Sequence, residues 1–282
     1  MNVIFVCTGN TCRSPMAEGF LKAKRLFGIN AESRGLAASG ETVSEKSVKA
    51  CLKFGTDISS HISRQFTKEN LNADKIICLS KNHADFLLSL GADKSKISVL
   101  GNGICDPYGQ TQEVYNECAK EILREIDALV YSGFFTSVKI ESASEKDAED
   151  IEETESGIFS HFWKAQSVRE TLEHSGLFFL AKENGKTIGH IGLSFICEEG
   201  YVLTLAVKKE YRNKNAATLL LNRAISAALD CGLDFLSLEV RKSNDDAVRL
   251  YEKLKFRIEG IRKDFYEDPK EDALIMTRRF KI

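Results

Sequence analysis

The chain has 282 residues, 43% of them hydrophobic, and a formal net charge of −2. That length suits two domains with real cores. The charge excludes a nucleic-acid-binding face as the dominant feature: residues 1–133 carry 16 Lys+Arg against 15 Asp+Glu and the rest 23 against 26, so neither half is basic. No apolar run reaches the roughly 18 residues of a membrane span, and the chain opens on a core strand without a signal-peptide pattern. The eight cysteines (7, 12, 51, 78, 105, 118, 197, 231) and five histidines form no metal-type pairs, so no metal is expected, and a reducing cytoplasm is the expected compartment.

The first element is the apolar run Val3-Ile4-Phe5-Val6, a buried strand. It delivers the chain to Cys7-Thr8-Gly9-Asn10-Thr11-Cys12-Arg13-Ser14. A helix over 14–27 follows, with Ser14 as cap, Pro15 at the first helical position and Glu18 as an acid in the first turn. Backbone N–H groups of such a loop curl round an anion, and the helix dipole adds attraction. The same field is expected to lower the pKa of Cys7 toward thiolate. Arg13 closes a Cys-(x)5-Arg loop and offers a planar fork for phosphate oxygens.

Further along, the pattern predicts a strand at 31–33, a helix over 44–54, a buried strand at 75–79, a helix over 82–90, a strand at 97–100 and a long helix over 111–131. Alternating strands and helices imply a parallel α/β sheet with ligands at the carboxyl ends of its strands. Cys7 and Asp106 both follow strands, so both reach that edge. A boundary falls between 133 and 137. Beyond it come a strand at 136–141, an acidic helix over 146–155 read as a solvated face, and two strands at 177–181 and 187–195 joined by the hairpin signal Asn184-Gly185. A strand at 200–207, a helix over 216–229, a strand at 235–240, a helix over 244–253 and strands at 256–262 and 273–280 complete an α+β pattern with a mixed, mostly antiparallel sheet.

VCTGNTCRSPMAE resembles the signature of low-molecular-weight protein tyrosine phosphatases, above all the protein-arginine-phosphatase branch. The resemblance covers residues 1–133 and implies a three-layer αβα domain that acts through a phosphocysteine and needs no cofactor. Cys7 becomes the nucleophile. Arg13 and the loop Thr8, Gly9, Asn10, Thr11, Cys12 bind the phosphoryl group, with Ser14 supporting the thiolate. Asp106 of Asp106-Pro107-Tyr108 becomes the general acid, with Tyr108 at the entrance. Thr11 stands where tyrosine-specific members carry an apolar residue and arginine-phosphatase members carry Thr. This favours phosphoarginine, with phosphotyrosine as the alternative. An arsenate-reductase role ranks lower because Cys78 lies in a strand pattern and Cys105 is distant. Cys12 is expected to trap an oxidised Cys7 as a disulfide.

Residues 137–282 resemble GNAT acetyltransferases. LTLAVKKEYRNKNAATLLLNRAI matches their motif A and LEVRKSNDDAVRLYEKLKF their motif B. Phe162-Trp163 and DFYEDPKEDALIM fit the branch acting on the N-terminal alanine of a small-subunit ribosomal protein. The resemblance implies that Leu205, Ala206, Val207, Arg212, Asn213, Lys214, Asn215, Ala216 and Ala217 bind acetyl-CoA and that Asn244 orients the cofactor or its helix. Glu239 would deprotonate the amine, and Tyr251 would protonate the departing thiolate. Asn215 and Lys255 stand where the family usually has Gly. The sequence thus leads to a cytoplasmic phosphatase–acetyltransferase acting on phosphorylated protein and a ribosomal N-terminus, without nucleic-acid or membrane partners. The rival reading makes the second half a docking or cofactor-sensing module.

Overall fold

A computed structural model describes residues 1–174 and 176–280; the last two positions of the 137–282 domain expectation lie outside the described residues. The chain divides into two compact units, Met1–Leu129 and Val130–Ile282. No helix among the described residues is long and apolar enough to cross a membrane.

The first unit is built on four parallel strands in the order β2-β1-β3-β4: β1 (Asn2–Cys7), β2 (Asn30–Gly35), β3 (Lys75–Cys78) and β4 (Ile97–Val99). β1 lies between β2 and β3, with Val6 opposite both Arg34 and Cys78. Val3 to Val6 are all buried, so both faces of the strand are covered, as a parallel sheet requires. The helices are α1 (Arg13–Ala23), α2 (Glu45–Leu52), α3 (Lys81–Ser89) and α4 (Gln112–Tyr131). In this order the succession of strands reverses between β1 and β3, and ligands bind outside the carboxyl ends at such a point.

Helix α1 corrects four expectations. It opens at Arg13, so Pro15 stands at its third position and not its first. Cys12 is its N-cap, so Ser14 is not; the Ser14 hydroxyl is engaged by the Cys7 loop instead. Glu18 lies beyond the first turn, and its carboxylate accepts from Ser33 Oγ at 2.6 Å. The helix ends at Ala23 rather than near Phe27, because Arg25 turns left-handed at φ 55°.

The second unit holds a seven-stranded sheet in the order β10-β11-β9-β8-β7-β6-β5. Its strands are β5 (Val138–Ser142), β6 (Leu177–Glu183), β7 (Lys186–Ile196), β8 (Glu199–Val207), β9 (Phe235–Arg241), β10 (Arg257–Glu267) and β11 (Lys270–Arg279). All neighbours are antiparallel except β8 and β9. The Asn184-Gly185 hairpin takes φ values of 51° and 78°, the two left-handed residues of a type I′ turn. Helices α5 (Ala148–Ser156) and α6 (Ala165–Glu173) pack on Phe178 and Leu180 of β6. The alternate residue Phe179 meets Arg223 of α7 (Ala216–Asp230) on the other face. Helix α8 (Asp245–Lys253) follows β9. The sequence pattern missed α6, which buries only Ala165 and Val168, too sparse an apolar stripe to read. Nor is α5 simply a solvated face: Ala148, Ile151, Thr154 and Glu155 are buried, Glu155 because His190 and Thr204 offer its carboxylate hydrogen bonds.

Helix α8 ends in a Schellman turn. The Lys255 N–H donates to Glu252 O at 2.9 Å and the Phe256 N–H to Tyr251 O at 3.0 Å, with the Phe256 and Tyr251 rings 5.9 Å apart. Lys255 is the left-handed residue, at φ 68°. Glycine removes the Cβ penalty there but loses more entropy on folding, so Lys255→Gly is expected to stabilise by about 0.5–1 kcal/mol. Calorimetric melting of the full chain should show the transition of the second unit rising by roughly 1–4 °C; a fall would place the strain elsewhere.

Candidate active sites

In the first unit, β1 ends at Cys7 and the chain folds back into α1 within six residues. Asn10 makes this possible by taking φ 55°, a conformation that Asn tolerates. Its side chain then ties the loop together. Asn10 Nδ2 donates to Ser14 Oγ at 2.9 Å and to Ser33 Oγ at 2.8 Å, while Asn10 Oδ1 accepts from the Arg64 N–H at 2.8 Å and from His61 Nε2 at 3.1 Å. His61 thus helps to hold the loop.

Cys7 Sγ lies 3.0 Å from Ser14 Oγ and accepts the Asn10 N–H at 3.3 Å. Ser14 already accepts from Asn10, so its own O–H is free to point at the sulfur. The expected depression of the Cys7 pKa is corrected here. Burial pushes the thiol up, and outweighs the opposing pull of Ser14, Asn10 and the Arg13 charge.

Arg13 is buried, with Nη1 donating to Ile104 O at 3.2 Å and Nη2 to Asp106 Oδ2 at 2.5 Å. Its Nε is a buried donor without a partner, and no side chain caps the N-terminus of α1. An unsatisfied guanidinium nitrogen beside an uncapped helix start fits an anion. Asp106 Oδ1 accepts the Tyr108 N–H at 3.2 Å, and the Tyr108 ring is 75% exposed. Thr11 is buried, its carbonyl accepting the Ser44 N–H at 2.9 Å; a Cβ on Gly9 would come within 3.5 Å of Thr11 Oγ1. Cys12 Sγ faces Tyr115 OH at 3.5 Å. Among the neighbours of this loop that the sequence did not reveal is His83, whose Nε2 lies 3.0 Å from Thr8 Oγ1.

In the second unit, β8 pairs with β7 along its length but with β9 only where Glu199–Tyr201 meets Phe235–Ser237. From Val202 onward, through Leu205, Ala206 and Val207, no ladder to β9 continues. Arg212 Nε donates to Val207 O at 3.3 Å. Asn213 and Asn215 take φ 61° and 67°, with Lys214 between them and Ala216 and Ala217 opening α7. No side chain caps α7. Asn244 caps α8, its Oδ1 accepting the Ala247 N–H at 3.2 Å, which is the helix half of its expected role.

Glu239 stands on β9, paired with Arg262 Nη1 at 2.8 Å. Tyr251 is buried against Phe256, and burial pushes its phenol up. Tyr266 on β10 lies within electrostatic reach of both. The sequence reading did not single it out, because strand register and not spacing brings it there. Among the described residues no group of three or more His, Cys, Asp or Glu could hold a metal ion.

The profile described as low molecular weight phosphotyrosine protein phosphatase matches residues 2–144, and that of the acetyltransferase (GNAT) family residues 141–256. The low molecular weight protein-tyrosine-phosphatase PtpB of Staphylococcus haemolyticus (strain JCSC1435) is 34% identical over 136 residues, covering 46% of this chain and 97% of its own length. The protein-arginine-phosphatase of Geobacillus stearothermophilus is 32% identical over 136 residues, covering 45% and 92%. For the second half, a putative ribosomal protein bS18-alanine N-acetyltransferase of Bacillus subtilis (strain 168) is 32% identical over 143 residues, covering 50% and 95%.

Proposed function

Because the chain belongs to the low molecular weight phosphotyrosine protein phosphatase family through its first half and to the GNAT acetyltransferase family through its second, we propose that it is a bifunctional enzyme. One half hydrolyses protein phosphoarginine, and the other acetylates a protein N-terminus, an N-terminal alanine of a ribosomal protein being the favoured acceptor. Residues 1–133 and 137–282 are the proposed domains. The observation that carries the phosphatase reading is the unpartnered, buried Arg13 Nε beside Cys7 and the uncapped start of α1.

The chemistry runs as a double displacement. Burial holds Cys7 as a thiol, so a dianionic phosphoryl group takes its proton on an oxygen as it enters. The thiolate attacks phosphorus in line. Arg13 and the N–H groups of Thr8 to Arg13 hold the equatorial oxygens, stabilising charge with fixed donors. The bond to the leaving nitrogen breaks as Asp106 supplies its proton. Water then hydrolyses the phosphocysteine, with Asp106 as base, and inorganic phosphate departs.

Phosphoarginine is favoured by the Thr11 hydroxyl at the loop. If Thr11 selects it, Thr11→Ile should move the ratio of kcat/KM for phosphoarginine over phosphotyrosine about tenfold toward phosphotyrosine, the scale of one hydrogen bond. An unchanged ratio removes Thr11 as the determinant. The exposed Tyr108 ring beside Asp106 favours the second reading, since it could stack on a phenol. Assay of the purified full chain on both phosphoamino acids within one peptide sequence decides between them.

For acetyl transfer, Leu205 to Val207 would pair with the pantetheine through backbone that β9 leaves unladdered. The turn Arg212 to Asn215 and the start of α7 would hold the pyrophosphate. Glu239 would take the proton of the acceptor amine and Tyr251, protonated in its buried site, would give one to the departing thiolate. The Asn215 backbone is already left-handed, so glycine there relieves crowding at the phosphates more than it creates a turn. Asn215→Gly is expected to lower the acetyl-CoA dissociation constant by up to about tenfold, or ~1.4 kcal/mol. Calorimetric titration of both forms tests this. Failure of both to bind leaves the second half a docking module.

A further inference from the structure

Thr8 is the first residue beyond the nucleophile. Its backbone is part of the anion loop, but its side chain is exposed. An exposed hydroxyl ordinarily rotates freely. This one is held, with Oγ1 3.0 Å from Nε2 of His83, a side chain only 6% exposed. The opposite ring nitrogen is held as well: His83 Nδ1 lies 2.9 Å from Ser80 Oγ, and Ser80 is the N-cap of α3 that also accepts the His83 N–H. The imidazole is therefore fixed at both ends by hydroxyls, with its backbone locked into the first turn of a helix.

Strand order creates this contact. β1 and β3 are neighbours in the sheet, so the loop leaving β1 and the helix following β3 open on the same edge. The Leu79 N–H donates to Val6 O at 2.9 Å, which brings the β3 exit against the β1 exit. The Thr8–His83 bond thus spans the point where the strand order reverses, one residue from Cys7.

Resting on the phosphoarginine reading, we propose that His83 is a specificity-positioning residue that holds the Thr8 hydroxyl at the loop mouth as a hydrogen-bond acceptor for the N–H groups of a guanidino leaving group. Either tautomer of His83 serves. If Nε2 carries the proton, Thr8 Oγ1 accepts it and keeps one lone pair; if not, Thr8 donates and keeps both. Either way a fixed acceptor faces outward. Burial first, and the Arg13 charge second, hold the imidazole below its ordinary pKa, which keeps it neutral and Thr8 in this role. A phosphoguanidino group has N–H donors to offer such an acceptor. An aryl phosphate has none, and its bridging oxygen is served by Asp106 alone. Such an acceptor discriminates by giving the guanidino substrate one hydrogen bond that the aryl substrate cannot make.

The test is the ratio of kcat/KM for free phosphoarginine over that for p-nitrophenyl phosphate, measured on the full chain. Thr8→Val and His83→Ala are each expected to lower the ratio about tenfold, and the double variant no further, because both remove one hydroxyl position. His83→Gln, whose amide can still donate to Thr8, should recover most of the loss. A merely structural histidine would lower both substrates together and leave the ratio alone. That result, or additive single effects, overturns the proposal. If His83→Ala does not fold by circular dichroism, Thr8→Val at its exposed position carries the test, and a ratio within twofold of the parent overturns the proposal. A parent chain that cleaves p-nitrophenyl phosphate and not phosphoarginine overturns the phosphoarginine reading itself, and this inference with it.

Discussion

Replacing Cys7 by Ser should lower phosphatase turnover by at least ~10⁴-fold, the scale on which removal of a covalent nucleophile acts. Phosphoprotein binding should survive. The reason is a division of labour within the loop. In the proposed mechanism the sulfur supplies the electron pair, whereas the oxygens are held by Arg13 and backbone N–H groups that the substitution leaves in place. A serine hydroxyl is far less acidic than even a buried thiol, so the phosphoryl group cannot relieve it of its proton as readily. Phosphate release from an arginine-phosphorylated peptide measures the first effect, and capture of the phosphopeptide by immobilised Cys7→Ser chain the second. Arg13→Lys should fail in both, because an ammonium can replace neither the fork nor the contacts to Ile104 O and Asp106. Turnover near normal in Cys7→Ser would sink the phosphocysteine mechanism.

Asp106→Asn should cost about 10²–10⁴-fold in the rate of phosphoenzyme formation, with the larger losses on substrates whose leaving groups are poor. In the structure Asp106 is bound to Arg13 through one oxygen and to the Tyr108 N–H through the other. Asparagine can keep the second contact, so the turn should persist while the transferable proton is lost. Rapid-quench measurement across aryl phosphates of graded leaving-group acidity tests this: the plot of log rate against leaving-group pKa should steepen in the variant. Parallel lines for the two enzymes would remove Asp106 as the acid.

How far the sequence reached differs between the two halves. The Cys7 loop was legible because its proposed chemistry is local: strand, candidate nucleophile, candidate anion loop and helix start fall within a few consecutive residues, and backbone geometry alone gathers them. Asp106 could be placed at the same edge because parallel strands deliver their carboxyl ends together. The left-handed Asn215 was legible for a similar reason, since a glycine-type turn before α7 leaves an L-residue few conformations. Helix ends were less legible. Ser14 has the look of a cap, and only the folded loop shows its hydroxyl turned to Cys7.

The sequence by itself determined the alternation of strands and helices, the two families of motif and the residues at the start of each candidate anion-binding turn, because each is written within one turn or one strand. The tertiary structure decided the rest. It set the direction of the Cys7 shift, since desolvation depends on everything packed round the sulfur and outweighed the donors that the motif displays. It buried Glu155 on an otherwise acidic helix by supplying His190 and Thr204 from two strands. It brought Tyr266 near Glu239 and Tyr251, and His83 to Thr8 across 75 residues. Periodicity reports which face a residue occupies on its own element; which other element meets that face is fixed by sheet order and register, and these follow from packing of the whole chain.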